Sequence, residues 1–194
     1  MKKITVLLIA AVLSFSAFAQ ESSQHLAFKG VPIDGTLAQF VANMKAKGFT
    51  GGANKDGTAV LEGDFAGYKS CYVIVSTLKN KDLVSTIGVI FPECGNWSIL
   101  EGNYVKLKEM LSTKYGEPAE VVEEFQNQYA TRDDSSKLHE LKMDRCTYQT
   151  LWRTEKGNLV LKLIKGDYGT VHVLCAYYDK INGLEVEAAA MDDL

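Results

Sequence analysis

CTYQTLWRTEKGNLVLKLIKGDYGTVHVLCAYY, residues 146 to 178, is the stretch that decides the fold. Apolar and polar residues alternate through three runs, and Lys156-Gly157 and Gly166-Asp167 interrupt them. Alternation with a period of two is typical of half-buried strands, and glycine beside a charged residue is typical of the turns between them. The stretch therefore predicts three antiparallel strands, Cys146 to Thr154, Leu159 to Ile164 and Thr170 to Tyr178.

The turns also assign the side chains of these strands to two faces, because successive residues of a strand point to opposite sides. One face is apolar and is predicted to be core: Cys146, Tyr148, Trp152, Leu159, Leu161, Leu163, Val171, Val173, Cys175 and Tyr177. The other face is mixed: Leu151, Arg153, Val160, Lys162, Ile164, His172, Leu174 and Tyr178. The mixed face is richer in apolar residues than a face in contact with water alone requires.

A helix followed by three strands is predicted twice along the chain. Ser98 and Glu101 have the spacing of a capping box, and an apolar stripe continues from there to Gly116. An earlier helix is predicted from Asp34, as N-cap, to Gly48. The strand-like runs that follow the earlier helix are Thr58 to Phe65, Tyr68 to Thr77 and Leu83 to Phe91.

The fold class predicted from this succession is α+β, with two similar halves that each pack a helix on a three-stranded antiparallel β-meander. Residues 20–95 form the first predicted half and residues 96–194 the second, which carries a polar insertion near 126–145. Within the insertion, Leu138 and Leu141 predict one short helical turn. Leu26 and Phe28 predict a leading strand, and Gly183 to Met191 predict a terminal helix.

The first meander has apolar residues on both faces. The predicted core comprises Tyr72, Ile74, Ile87, Val89 and Phe91, and the predicted reverse face comprises Val73, Val75, Val84, Thr86 and Ile90. Two helices can cover only one side of such sheets. The reverse faces are therefore predicted to pack on each other, on the insertion, or on a partner.

Residues 1–19 have the pattern of a secretory signal peptide. Lys2 and Lys3 precede the apolar run from Ile4 to Leu13, and Ala17-Phe18-Ala19 is a small-x-small cleavage site. Cleavage before Gln20 is expected, which predicts a periplasmic or secreted protein. The apolar run is too short to cross a bilayer, so no membrane span is predicted.

The charge of the chain argues against a nucleic-acid partner. It carries 21 basic and 24 acidic side chains, and loss of Lys2 and Lys3 with the signal peptide would make it more acidic. Such a balance provides no positive footprint for nucleic acid. The partner is therefore predicted to be a protein or a small ligand.

Four cysteines, Cys71, Cys94, Cys146 and Cys175, lie in the exported part. An even number of cysteines in an oxidising compartment favours disulfides, whereas buried thiols are the alternative, and the pairing is left open. A bridge between Cys71 and Cys94 conflicts with a hairpin centred on Asn80-Lys81. In that register the two residues would lie about 13 Å apart, beyond the reach of a disulfide.

No motif predicts a catalytic residue, a metal site or a cofactor. Ser76 and Lys79 have the Ser-x-x-Lys spacing of penicillin-recognising enzymes, but they lie at the end of a predicted strand instead of on a helix. The glycines between Gly48 and Gly57 lack the Gly-Lys-Ser/Thr ending of a phosphate loop and are predicted to form a flexible connection. His25, His139 and His172 have no metal-binding spacing.

Three segments carry a resemblance to known proteins: Phe28 to Leu37, Lys114 to Pro118, and Tyr178 to Asn182. Through them the chain resembles a family of uncharacterised secreted proteins of gut-type Gram-negative bacteria. In architecture, a doubled helix-plus-meander is similar to the β-lactamase inhibitor proteins and to small lipoproteins of the outer-membrane barrel-assembly machinery. That similarity implies protein binding through a sheet face.

These patterns predict an exported, non-enzymatic binding protein whose mixed face recognises a protein or a small ligand. The predicted binding residues are Leu151, Arg153, Val160, Ile164, Leu174 and Tyr178. The alternatives are a secreted hydrolase with scattered catalytic residues and a structural component of an envelope complex.

Overall fold

The computed structural model describes residues 24–54, 56–78, 81–127 and 133–183. The predicted signal peptide and nearly all of the predicted terminal helix lie outside these ranges. The fold is α+β, as predicted, and its large sheet has eight strands. The helices are α1 (Leu37–Ala46), α2 (Trp97–Tyr115) and α3 (Asp134–Lys142), residues 180–183 are also helical, and a 3-10 turn covers Asp167–Gly169. The strands are β1 (Ala27–Phe28), β2 (Val31–Pro32), β3 (Thr50–Ala53), β4 (Thr58–Phe65), β5 (Tyr68–Thr77), β6 (Val84–Ile90), β7 (Glu120–Phe125), β8 (Cys146–Thr154), β9 (Gly157–Lys165) and β10 (Val171–Asp179).

The large sheet has the strand order β3-β4-β5-β6-β10-β9-β8-β7, and every neighbouring pair is antiparallel. The six predicted strands are therefore confirmed, with bounds that differ by at most two residues. The two predicted meanders meet where β6 pairs with β10, so they form one continuous sheet. Strands β1 and β2 make a separate hairpin.

The prediction of three strands after each helix is wrong, because β3 and β7 add one strand at each edge of the sheet. Strand β3 lies in the glycine-rich segment that was predicted to be a flexible connection. Gly51 has a φ of +113°, and a Cβ atom there would lie 2.3 Å from the carbonyl oxygen of Val60. Glycine is thus required by close strand pairing, which alternation of apolar residues does not reveal.

Both long helices begin at a different residue from the one predicted. The N-cap of α1 is Thr36, which forms a capping box with Gln39. The N-cap of α2 is Asn96, whose side chain accepts a hydrogen bond from the backbone N–H of Ile99. Glu101 forms no capping box, because its carboxylate accepts hydrogen bonds from Trp97 Nε1 and Tyr148 Oη. The insertion does contain the predicted helix, which is α3.

The core lies between the helices and one face of the sheet. Inward residues of both meanders and of all three helices form a single hydrophobic cluster. In the second meander, the predicted core is buried from Trp152 through Tyr177, and only Cys146 and Tyr148 are half-buried. The core positions predicted in β6, which are Ile87, Val89 and Phe91, are also buried.

The predicted register of β5 is wrong by one residue. Val73 and Val75 are buried, whereas Tyr72 points away from the helices and is 51% exposed. Val84 is buried as well, so its prediction for the reverse face is also wrong. The cause is a bulge between Ser76 and Thr77, which shifts the pairing with β6 and inverts the faces of the strand.

A buried polar cluster fastens the β1–β2 hairpin to the end of β10. Asp179 accepts hydrogen bonds from the backbone N–H groups of Leu26, at 2.7 Å, and Asn182, at 3.0 Å. Its other contact is with His25 Nδ1, also at 3.0 Å. Asn182 donates to the carbonyl oxygens of Ile33 and Val84. Two of the segments that carry the family resemblance are therefore in direct contact.

Candidate functional site

The open face, defined as the side of the large sheet that points away from α1, α2 and α3, is the candidate site. The buried residues of these helices pack with one set of strand residues, and the alternate set points to the other side. In the part of the chain that the structure describes, no helix lies on this side. Among the described residues, the open face is therefore a sheet surface that no second layer covers.

A row of cross-strand neighbours crosses the open face through all eight strands. The paired residues in this central row are, from β3 to β7, Gly52, Val60, Ile74, Gly88, Ala176, Val160, Leu151 and Glu120. The row is apolar except at its last position. Cross-strand pairs of this kind place apolar side chains within contact distance of each other, so the row is a continuous apolar strip.

The middle of the central row is filled by neighbouring side chains. Gly88 has no side chain, and a Cβ atom there would lie 3.6 Å from Leu174 Cδ1. Ala176 is only 3% exposed, although it points to the open face. Large side chains beside these small residues thus leave a shallow surface at the centre of the sheet, where β6 pairs with β10.

Two flanking rows combine aromatic and charged residues. On one side of the central row, Tyr72 pairs with Ile90, and Leu174 pairs with both Ile90 and Lys162. On the other side, Tyr178 pairs with Asn158, which pairs with Arg153. The open face therefore has the composition of a typical protein interface, with an apolar centre and aromatic and arginine side chains around it.

All six residues predicted for binding lie on the open face. Arg153 and Tyr178 are exposed, the latter at 43%, and the four aliphatic residues, Leu151, Val160, Ile164 and Leu174, are half-buried. The register pairs Leu151 with Val160 directly, so the group is contiguous across β8 and β9. These placements confirm the predicted faces of the second meander.

On the first meander, Thr86 and Ile90 lie on the open face as predicted, since they pair with Tyr178 and Leu174, whereas three other residues of this face were not predicted there. Val60, Tyr72 and Ile74 lie on it, and the first two are exposed. The register error in β5 placed Tyr72 and Ile74 in the core. Both faces of β5 are apolar, so the alternation of residues does not reveal the register. Only the bulge in its pairing with β6 does.

An end pocket of about 430 Å³ adjoins the open face where β9 begins and β10 ends. Among its lining residues are Arg153, Asn158, Tyr178 and Lys180. Gly157, also in its wall, allows the backbones to approach closely, because a Cβ atom there would lie 2.1 Å from the carbonyl oxygen of Tyr178. The pocket thus combines two cations with an aromatic ring and an amide.

Two histidines contact residues of the fold itself. His172 Nδ1 lies 2.9 Å from the carbonyl oxygen of Phe91, and its Nε2 lies 3.0 Å from Thr170 Oγ1. The Thr170 hydroxyl also donates to the carbonyl oxygen of Asp167, which competes with any role as a nucleophile. His25 contacts the carboxylate of Asp179, as described above. Across the described ranges, no group of three or more His, Cys, Asp and Glu residues could hold a metal ion.

All four cysteines are free thiols, so the alternative of buried thiols applies and no disulfide is present among them. Cys71, Cys94 and Cys175 are buried, and Cys146 is half-buried. Burial raises the pKa of Cys175 to about 12 and that of Cys146 to about 12. These thiols are therefore protonated at neutral pH, which is the opposite of the low pKa that a reactive thiolate requires.

The described residues contain no helix that is long and apolar enough to cross a membrane.

Comparisons of the chain with models of protein families, with curated proteins and with solved structures give no match. Neither the resemblance to secreted proteins of gut-type Gram-negative bacteria nor the architectural similarity to β-lactamase inhibitor proteins gains support from them. Both stay predictions from the sequence.

Proposed function

We propose that the chain is an exported, non-enzymatic protein that binds a protein partner through the open face. The observation that carries this proposal is the central row, an apolar strip across seven of the eight strands, on the side of the sheet where the described residues place no helix. An extended apolar surface is unfavourable in water unless it is covered part of the time. A partner that removes it from water gains free energy in proportion to the apolar area.

The size of the open face favours a protein over a small ligand. Seven strand spacings of about 4.8 Å give a width of about 34 Å, and three rows with their side chains give a height of about 20 Å. The resulting area of roughly 700 Å² is close to the roughly 800 Å² that each partner contributes to a standard protein interface. Small ligands bind in concave pockets instead, whereas the middle of this face is shallow.

The strand order supports a doubled architecture, and we propose that a duplication produced the two halves of the open face. The sequence of strands β3-β4-β5-β6 mirrors β7-β8-β9-β10 about the β6–β10 pair. Each helix precedes its four strands along the chain, and the central row has matching positions, Ile74 with Val160 and Gly88 with Ala176. A duplicated unit joined through its last strand would produce this order.

The compartment in this proposal is the periplasm or the medium, on the basis of residues 1–19. Mass spectrometry of protein recovered from the envelope and from the medium is expected to find an N-terminus at Gln20. A retained Met1 would contradict export by a cleaved signal peptide.

The test of binding uses a partner that the purified protein captures from the envelope fraction. Tyr178→Ala, Arg153→Ala and Tyr72→Ala are each expected to weaken the measured affinity by more than about 1 kcal/mol, since aromatic residues and arginine dominate interface hot spots. The matched controls are Ile99→Ala and Met110→Ala, because both are exposed apolar residues on α2, on the other side of the sheet. Equal affinity in the three open-face variants would contradict the proposal.

A further inference from the structure

The end pocket holds two cations that the fold does not neutralise. Arg153 and Lys180 are both exposed, and neither has an ion-pair partner among the residues that the structure describes. Arg145, by contrast, is paired with Glu140 at 2.8 Å. Two unpaired cations in one concave site attract an anionic group.

The acid that lines the end pocket does not neutralise it. Asp179 is 2% exposed, and its oxygens contact the backbone N–H groups of Leu26 and Asn182 and the ring of His25. Its hydrogen-bonding capacity is therefore directed into the protein. The cations of the pocket stay available to a group that enters from solvent.

A third cation extends this charge along β9. Lys162 points to the open face and is half-buried, and its cross-strand neighbours are Gln149 and Leu174, neither of which is acidic. It lies four residues after Asn158, which pairs with Arg153, so the two positively charged positions are about 13 Å apart along the strand. Val160 of the central row lies midway between them.

We propose that the open face binds an extended acidic segment of a protein, in which two carboxylate side chains flank an apolar one at alternate positions. The spacing of residues i, i+2 and i+4 in an extended chain matches the end pocket, Val160 and Lys162. One carboxylate enters the end pocket, the apolar side chain contacts the central row, and the second carboxylate contacts Lys162. This inference rests on the proposed function, because it uses the same face.

Charge on the rest of the molecule favours a polypeptide over a nucleic acid. Glu62 and Glu120 lie on the open face at opposite sides of the sheet, and the chain as a whole carries a formal net charge of −3. A polyanion that covers the face would meet both carboxylates. A segment with two isolated carboxylates avoids them and also buries the apolar row.

The test uses three fluorescently labelled peptides that share an extended core and differ only at its two charged positions. The cores are Glu-Thr-Val-Thr-Glu, Gln-Thr-Val-Thr-Gln and Lys-Thr-Val-Thr-Lys, and anisotropy titration measures their affinities. The glutamate peptide is expected to bind about ten-fold or more tightly than the glutamine peptide, because a carboxylate attracts the guanidinium and ammonium groups as an opposite charge and a neutral amide does not. Added salt is expected to reduce the difference.

Two double variants that each remove two positive charges test whether the preference for the glutamate peptide arises from the end pocket. Arg153→Gln combined with Lys180→Gln is expected to remove the preference for glutamate. Lys45→Gln combined with Lys47→Gln, at exposed positions at the end of α1, is expected to keep it. Thermal unfolding followed by circular dichroism establishes that both double variants are folded.

Three results would overturn the inference: equal affinity for the glutamate and glutamine peptides, unchanged affinity in the Arg153 and Lys180 double variant, or no binding of any peptide. Val160→Asn, in the central row, separates this failure from failure of the proposed function. If a captured protein partner loses affinity in Val160→Asn but not in the double variant, the open face binds and the acidic segment is wrong. If the glutamate peptide depends on the cations but not on Val160, the proposed function of the apolar face is wrong.

Discussion

The two faces of the large sheet are built by the same strands and differ in what covers them. Val173 is buried under the helices, whereas its neighbour Leu174 points to the open face and is half-buried. Val73 and Tyr72 show the same contrast on β5, where one is fully buried and the other is 51% exposed. Burial therefore follows the position of the helices, and the apolar character of a side chain alone does not decide it.

The largest expected difference between the faces is at Trp152 and Tyr178. Trp152 is 1% exposed on the helix side, and Tyr178 is on the open face. Trp152→Ala is expected to lower the free energy of unfolding by about 3 to 5 kcal/mol, because it leaves a cavity in the core. Tyr178→Ala is expected to cost far less. Denaturant midpoints of the two variants measure the difference, and equal losses would show that the two faces do not differ.

The second comparison tests the register of β5. Val73→Ala is expected to lower the free energy of unfolding by about 2 kcal/mol, since it removes buried methyl groups. Tyr72→Ala, one residue away, is expected to change it by about 0.5 kcal/mol or less, as at other surface positions. Urea unfolding of both variants provides the measurement. A larger loss in Tyr72→Ala would restore the register predicted from the sequence.

The third comparison uses pH to probe the covered face. Burial raises the pKa of the Cys175 thiol to about 12, against about 8.5 in an unfolded chain. The raised value means that the stabilising effect of the protonated thiol is complete below pH 8.5 and is lost as the pH rises above it. Between pH 8 and pH 10 the loss from this thiol is about 2 kcal/mol.

Cys175→Ala is therefore expected to show a shallower fall in the free energy of unfolding over that interval than the unaltered chain. Urea unfolding at several pH values between 8 and 10 checks it. The matched control is Val173→Ala, a fully buried residue of the same strand that carries no titrating group, and it is expected to keep the slope of the unaltered chain. Identical slopes in the unaltered chain and in Cys175→Ala would mean that the thiol reaches water in the native state.

The second meander could be predicted well because the alternation of its residues and the positions of its turns indicate the same register. In β9, Leu159, Leu161 and Leu163 alternate with a mixed set that includes Asn158 and Lys162, and Gly157 and Gly166 mark the turns. One register satisfies both signals, and it is the one observed. The placement of all six predicted binding residues on one face followed from this agreement.

The first meander could not be predicted as well, because local pattern and tertiary pairing conflict. Residues Cys71 to Val75 are apolar or aromatic at every position, so alternation does not distinguish the faces of β5. The bulge at Ser76 and Thr77 then shifts the register by an amount that only the paired strand reveals. The edge strands β3 and β7 were missed for a related reason, since Thr50–Ala53 is half glycine and Glu120–Phe125 is half acidic.

The end pocket depends on contacts that no sequence pattern gives. Arg153 and Lys180 are 27 positions apart in the chain and meet because β8 and β10 both pair with β9. The buried contacts of Asp179 with Leu26 and Asn182 join the two ends of the described chain in the same way. The segments Phe28 to Leu37 and Tyr178 to Asn182 therefore contribute contacts that stabilise the fold. Neither segment contains a pattern that predicts a reaction.

Hydroxyl-radical footprinting of the protein, alone and with its captured partner, tests the central claim most directly. In the protein alone, Tyr72 and Tyr178 on the open face and Met110 on α2 are expected to be oxidised, because all three are exposed. With the partner bound, Tyr72 and Tyr178 are expected to be protected while Met110 stays reactive. Unreactive tyrosines in the protein alone, or protection confined to Met110, would contradict the account of the open face as the partner-binding surface.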